Sequence, residues 1–233
     1  MGNELPCCFS CPHLTLRELL INLGKGIGDY LPWHSERDPF RVLTVEKLLQ
    51  RTTRTNVLRV YKHFIAKFGT AESILDTSPL CLYEAIKELG LGKQRSQALI
   101  VIAKTLVEKY GGRVPCDRDQ LISIPHVGDY IADAVLLYGY GKTAFPLDGG
   151  IQRVLRRASG LPENKKPPYS DKHLNTIAYL LLEDLTPREI VYIHRALLWL
   201  AWEVCKPVSH PLCDICILNT VCMTESRGFS NTL

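Results

Sequence analysis

The chain is expected to be all-α. Apolar residues recur at helical spacing along most of its length, alternation of period two is never sustained, and Gly and Pro punctuate the periodic stretches. With 233 residues, 46% of them hydrophobic, it can bury the core of one domain or of two modest ones. The apolar runs Ala178 to Leu182 and Ala196 to Trp202 fall well short of the roughly 20 residues that a bilayer crossing needs, so no membrane partner is expected. No basic segment followed by an apolar stretch opens the chain, which predicts an intracellular location. The net charge of +4, from 28 Lys and Arg against 24 Asp and Glu, is compatible with a polyanionic partner without identifying one.

Helices are predicted in order over Phe40 to Gln50, Asn56 to Phe68, Pro79 to Leu89, Lys93 to Tyr110, Val127 to Tyr138, Gly149 to Ala158, Asp171 to Leu182 and Arg188 to Val204. In the fourth, Leu99, Ile102, Ala103 and Leu106 mark one buried stripe, and Gly111-Gly112 stops it. Leu161 to Ser170 is a Pro- and Lys-rich surface loop, and no internal repeat is present.

Residues 121 to 135 read as an apolar helix end, the tight turn Pro125-His126-Val127-Gly128, and a new helix with Val127, Ile131, Ala134 and Val135 on one face. Such a turn leaves backbone N–H groups at a helix start, and these can hold a DNA phosphate without reading sequence; an ordinary packing hairpin would look the same. After Tyr130 comes Phe145-Pro146-Leu147-Asp148-Gly149-Gly150-Ile151-Gln152-Arg153-Val154, where Asp148 is placed to cap the following helix. The hairpin followed at this distance by the aspartate closely resembles the helix-hairpin-helix, Gly/Pro-Asp (HhH-GPD) superfamily of base-excision DNA glycosylases.

That resemblance spans about Asp38 to Cys222. It implies a six-helix domain over 38–145 containing the hairpin, and an iron–sulfur cluster domain formed by 1–37 and 146–233, with the active-site cleft between them. It also implies a catalytic role for Asp148, whose carboxylate a helix N-terminus would keep ionised to face an oxocarbenium-like sugar. His126 stands where the family usually has glycine, which costs stability if the position needs a positive φ. Asp129 and Asp133 are unexpectedly acidic for an element that faces DNA.

Nine cysteines, an odd number, with four near the C-terminus, suggest metal ligation in a reducing compartment more than disulfides. Cys205, Cys213, Cys216 and Cys222 are spaced C-x7-C-x2-C-x5-C, which on spacing alone suits zinc or a [4Fe–4S] cluster equally. The resemblance implies the 4Fe-4S cluster, because endonuclease III and its relatives carry one here with a first gap one residue shorter. The longer gap places Lys206 and His210 where they can contact a phosphate. Cys7, Cys8 and Cys11 beside His13 match no site in the relatives, and no second metal is expected there; Cys81 and Cys116 are taken as bystanders.

In Leu43-Thr44-Val45-Glu46-Lys47-Leu48-Leu49-Gln50-Arg51-Thr52-Thr53, Glu46 shares a helix face with Val42, Leu43, Leu49 and Gln50, so a partly buried carboxylate is expected. It matches the glutamate that mismatch glycosylases place in the base pocket, and Glu46 with Asp148 forms the expected catalytic pair. Bifunctional relatives, which also nick the strand, carry a lysine nucleophile where this chain has Tyr130; a monofunctional enzyme follows, with Tyr130 walling the extruded base or simply packing. Gln50 and Arg51 correspond to the family's wedge into the vacated stack, and Leu91 to the second wedge beside the orphan base.

Leu48 to Thr53 and Lys109 to Pro115 resemble the thymine/uracil mismatch glycosylases, whereas the surroundings of Leu147-Asp148-Gly149 resemble the adenine-specific ones, which act opposite G or 8-oxoguanine. The adenine enzymes usually carry a further C-terminal domain, and only Met223 to Leu233 follow the cysteines here. The expected substrate is therefore T or U opposite G in double-stranded DNA, acted on by a monomer. A relative that binds DNA through the hairpin without catalysis is the alternative that Glu46 and Asp148 argue against.

Overall fold

The computed structural model describes residues 15–162, 166–207 and 211–224. Among these every regular element is helical. The chain divides into two compact units, one of residues 29–146 and one of residues 1–28 and 147–233.

The 29–146 unit holds α2 (Pro39–Leu49), α3 (Arg54–Lys67), α4 (Ala71–Leu75), α5 (Pro79–Ile86), α6 (Gly92–Tyr110), α7 (Arg118–Ser123) and α8 (Asp129–Ala134). Helix α2 starts where Asp38 accepts from the Arg41 N–H and Pro39 supplies a preset φ. It is buried nearly all round, with Phe40, Val42, Leu43, Thr44, Val45, Glu46 and Leu48 inside, as befits a central helix. Helix α8 packs against it and runs on as a π-helical turn over Val135–Gly139. Residues 29–37, assigned to the other domain from the sequence, belong to this unit. Trp33 is buried and meets the Tyr61 ring edge-on at 5.4 Å, while the Tyr61 hydroxyl donates to Glu36.

In the other unit α1 (Leu16–Ile27) lies against α11 (Pro187–Trp199), and α9 (Gly149–Ala158) contacts both α10 (Lys172–Leu182) and α11. Thr15 and Glu18 form a capping box at the start of α1. At Gly24 the two backbones come so close that a Cβ would lie 2.0 Å from the Tyr192 carbonyl oxygen. Arg156 on α9 makes a buried ion pair with Asp171, the N-cap of α10. Helix α11 ends in a second π-helical turn, Leu200–Val204, which delivers the chain to Cys205.

Periodicity locates α2, α3, α5, α6, α9, α10 and α11 to within a few residues, with two differences at their ends. Lys87–Leu89 forms a separate 3-10 turn, and the last residues expected in α11 and in the helix after the hairpin form the π-helical turns. Helices α1 and α4 were not expected, whereas α7 is the helix whose end the hairpin motif placed at residue 121 onwards. No helix among the described residues is long and apolar enough to cross a membrane.

Candidate functional site

Within the 29–146 unit, Glu46 is only 8% exposed in the middle of α2. Three exposed tips surround the C-terminal end of that helix and the hairpin. Gln50 and Arg51 follow α2, Leu91 precedes α6, and Pro125, His126 and Gly128 form the hairpin turn with Val127 tucked beneath. Arg51, Leu91 and His126 have φ of 52°, 51° and 68°, the left-handed region that side chains with a Cβ rarely adopt. The only other non-glycine residue with positive φ among the described ones is Asp184. The strain anticipated at His126 is therefore present.

The hairpin is closed by the Val127 N–H to the Ile124 carbonyl at 3.1 Å, and α8 begins with the Ala132 N–H to the Gly128 carbonyl at 3.0 Å. No side-chain hydrogen bond caps α8 at Gly128. A Cβ at Gly128 would meet nothing within 4 Å. Tyr130, two residues on, is half-buried in the first turn of α8.

The acidic residues that looked out of place have a local explanation. Arg118 on α7 donates from Nε to Asp133 at 2.8 Å and from Nη2 to Asp129 at 2.7 Å. The two carboxylates raise the already high proton affinity of the guanidinium, and the paired bonds tie α7 to α8 across the hairpin turn.

In the other unit Asp148 is the N-cap of α9, its Oδ1 accepting from the Ile151 N–H at 2.7 Å. The residue keeps part of its surface open, while the carboxyl itself lies deep in protein. That burial pushes its pKa above the ordinary aspartate range, opposed by the N–H groups of Ile151 and Gly150 and then by Arg153. Just before it the Leu147 N–H donates to the Tyr169 hydroxyl oxygen at 3.0 Å, a neighbour that the loop composition gave no reason to single out.

The far end of α9 organises the cysteine loop. Arg153 donates from Nε to the Cys205 carbonyl at 2.8 Å and from Nη2 to the Ala201 carbonyl at 2.9 Å. Arg157 reaches the carbonyl of exposed Lys206 at 2.9 Å and the Cys205 sulfur at 3.6 Å, and its own carbonyl accepts from the Cys222 thiol at 3.6 Å. Cys205, Cys213, Cys216 and Cys222 are all half-buried free thiols. Burial pushes Cys216 up to about 11, and the charges of Cys205, Cys222 and Cys213 add to the effect, so the four sulfurs share one neighbourhood. No set of three or more His, Cys, Asp or Glu among the described residues is drawn up around a single ion. Four cysteine thiols, with Arg153 and Arg157 hydrogen-bonded to the backbone of the same loop, are a donor set of the type that a four-cysteine metal or iron–sulfur centre uses. Cys7, Cys8, Cys11, His13 and His210 lie outside the described residues.

Residues 46–178 match the family described as HhH-GPD superfamily base excision DNA repair protein. The chain is 35% identical to the thymine-DNA glycosylase of Aeropyrum pernix over 90% of its own length and 93% of that protein. It is 34% identical to the thymine/uracil-DNA glycosylase of Pyrobaculum aerophilum over 91% and 92% of the two chains. A solved thermostable thymine-DNA glycosylase superposes with a TM-score of 0.82 at 30% identity, covering 91% of this chain and 95% of that one.

Proposed function

Since this chain belongs to the HhH-GPD superfamily of base excision DNA repair proteins, we propose that it is a monofunctional glycosylase that removes T or U mispaired with G from double-stranded DNA. The mispaired nucleotide is extruded from the helix and its glycosidic bond hydrolysed, leaving an abasic site. The specificities named for the relatives from Aeropyrum pernix and Pyrobaculum aerophilum support the choice of base. The protein acts as a monomer inside the cell, where its substrate is.

Asp148 carries the reading. Its carboxyl is buried, yet it is fixed at the start of α9 by a 2.7 Å backbone hydrogen bond. A carboxylate held there faces the sugar as positive charge develops and stabilises it without having to reorganise. Glu46, buried at 8% exposure, holds the attacking water or protonates the departing base. Tyr130 walls the extruded base and offers no amine, so no covalent adduct forms with the sugar and the strand is not cut. Pro125 to Gly128 and Lys206 hold phosphates, while Gln50, Arg51 and Leu91 fill the space the base vacates.

Cys205, Cys213, Cys216 and Cys222 hold a [4Fe–4S] cluster, which ties down the loop bearing Lys206 and takes no part in hydrolysis. Iron and sulfide in the purified brown protein are the expected assay result; a colourless zinc protein would remove the cluster from the proposal. Single-turnover base release from duplexes with T·G, U·G, A·G, A·8-oxoguanine or thymine glycol tests the function. Release of T and U opposite G is expected, and release of adenine instead would reassign the substrate.

A further inference from the structure

We propose that Arg95, acting with Lys47, is a positioning residue that locks the three DNA-facing tips of the 29–146 unit into one preformed tool for holding the duplex open. The inference rests on the glycosylase reading above and assigns a role to two residues that touch no DNA in it.

Arg95 occupies the apolar stripe of α6, in line with Leu99, Ile102 and Leu106, and is 5% exposed. A buried guanidinium is unfavourable unless its N–H groups are used, and burial accordingly lowers its hold on the proton. Its Nη1 donates to the Lys47 carbonyl at 2.9 Å, and its Nη2 to the Gln50 carbonyl at 3.0 Å and the Gly90 carbonyl at 3.3 Å. One planar fork thus takes up carbonyls that the end of α2 leaves without helical partners and links them to the turn before α6. Lys47 adds the third tip, its ammonium donating to Gln50 Oε1 at 2.8 Å and to the His126 carbonyl at 3.4 Å.

Apart from the Lys47 carbonyl, every bonded group is at, or immediately before, a strained residue: Gln50 before Arg51, Gly90 before Leu91, and His126 itself. The side chains of those three residues are exposed, Leu91 at 49%, so packing does not hold the left-handed backbone. Such conformations persist only where the surroundings over-determine them, and here the clasp does so. Stability alone would be better served by glycine at the tips and by an apolar residue at 95. Burial first, and then the neighbouring Arg95 charge, lower the proton affinity of Lys47. Tips already in place lose no freedom when they meet the opened duplex, which favours extrusion over a fold that must order them on binding.

The test compares single-turnover thymine release from a T·G duplex and from a duplex in which the same T is a one-base bulge, already unpaired. Arg95→Lys keeps the charge but loses the fork. It should slow release from T·G by about tenfold or more, the scale of one charge-assisted hydrogen bond, and leave the bulge nearly unaffected. The fluorescence rise of 2-aminopurine placed beside the T, which reports unstacking on binding, should shrink in parallel. Lys47→Gln, at a half-exposed position, should show the same selectivity with a smaller effect, and it keeps the test valid if Arg95→Lys folds poorly. Equal losses on both duplexes, or no loss on either, would overturn the clasp. A wild-type protein inactive on both would overturn the glycosylase reading and the clasp with it.

Discussion

His126→Gly should make the protein more stable. His126 has φ 68°, and a residue with a Cβ pays about 1–2 kcal/mol for the left-handed region. Glycine takes the same conformation freely, but gives up about 0.5–1 kcal/mol through the greater freedom of its unfolded chain. The imidazole is exposed, so no burial is lost, and the bond from Lys47 goes to the backbone carbonyl, which the substitution leaves in place. The balance is about 0–1.5 kcal/mol in favour of glycine, or a rise in Tm of up to about 6 °C for a chain of this length. Urea unfolding should show a higher midpoint with an unchanged m-value. His126→Ala is the control: it deletes the imidazole but keeps the Cβ, and should bring no gain. A glycine variant less stable than wild type, or an alanine variant that gains equally, would refute the strain argument.

Other consequences are equally measurable. Asp148→Asn retains a good N-cap while removing a charge that burial disfavours, so stability at neutral pH should be unchanged or higher while base release falls by about a hundredfold or more. Because burial raises the Asp148 pKa in the folded state, its protonated form favours folding below the unfolded aspartate value, and that contribution disappears as pH rises through the raised value. Wild-type base release should therefore climb with pH through that raised value, and a rate independent of pH on the acid side would contradict the assignment. Gly128→Ala meets no atom within 4 Å and needs no positive φ, so its stability should stay within about 0.5 kcal/mol of wild type. If the hairpin holds a phosphate as proposed, its affinity for DNA of any sequence should nevertheless drop, because the added methyl group would crowd that contact. Gly24→Ala should cost about 2–3 kcal/mol in denaturant unfolding, because its Cβ would press on the Tyr192 backbone at 2.0 Å and neither helix can yield locally.

The long helices were legible because each carries its own period and caps. Helix α9 is the plainest case, with Asp148 before it and Ile151, Val154, Leu155 and Ala158 buried along one side. Helix α1 carried an equally good local signal, the Thr15 and Glu18 box before Leu19, Leu20 and Leu23, but lies outside the stretch that the hairpin motif helps to read. Helix α4 spans five residues, too few for a period to register, and of six-residue α7 only the end before the hairpin was read. Glu46 was expected to be buried because of its helix face, whereas the structure buries almost the whole of α2. The π-helical turns were hidden, since nothing local distinguishes Leu200–Val204 from one more turn of helix.

Around the candidate site, the sequence pointed to the residues proposed to meet DNA and missed the arginines that hydrogen-bond to their neighbourhood. Arg118 lies 15 residues before Asp133, and Arg157 lies 48 before Cys205, so neither pairing has a local signature. Arg95 did have one: an arginine on a stripe otherwise filled by Leu99, Ile102 and Leu106 must be buried, and a buried arginine must have partners. The positive φ of Arg51 and Leu91 had none, because neither is a residue type that favours that conformation.

The most direct test of hydrolytic base removal follows a T·G duplex under single turnover with borohydride present, each sample divided between neutral and alkaline work-up. Free thymine, a strand that breaks only after alkali, and no trapped protein–DNA adduct are predicted from Asp148 acting without an amine nucleophile at position 130. Strand breakage at neutral pH together with a trapped adduct would contradict it.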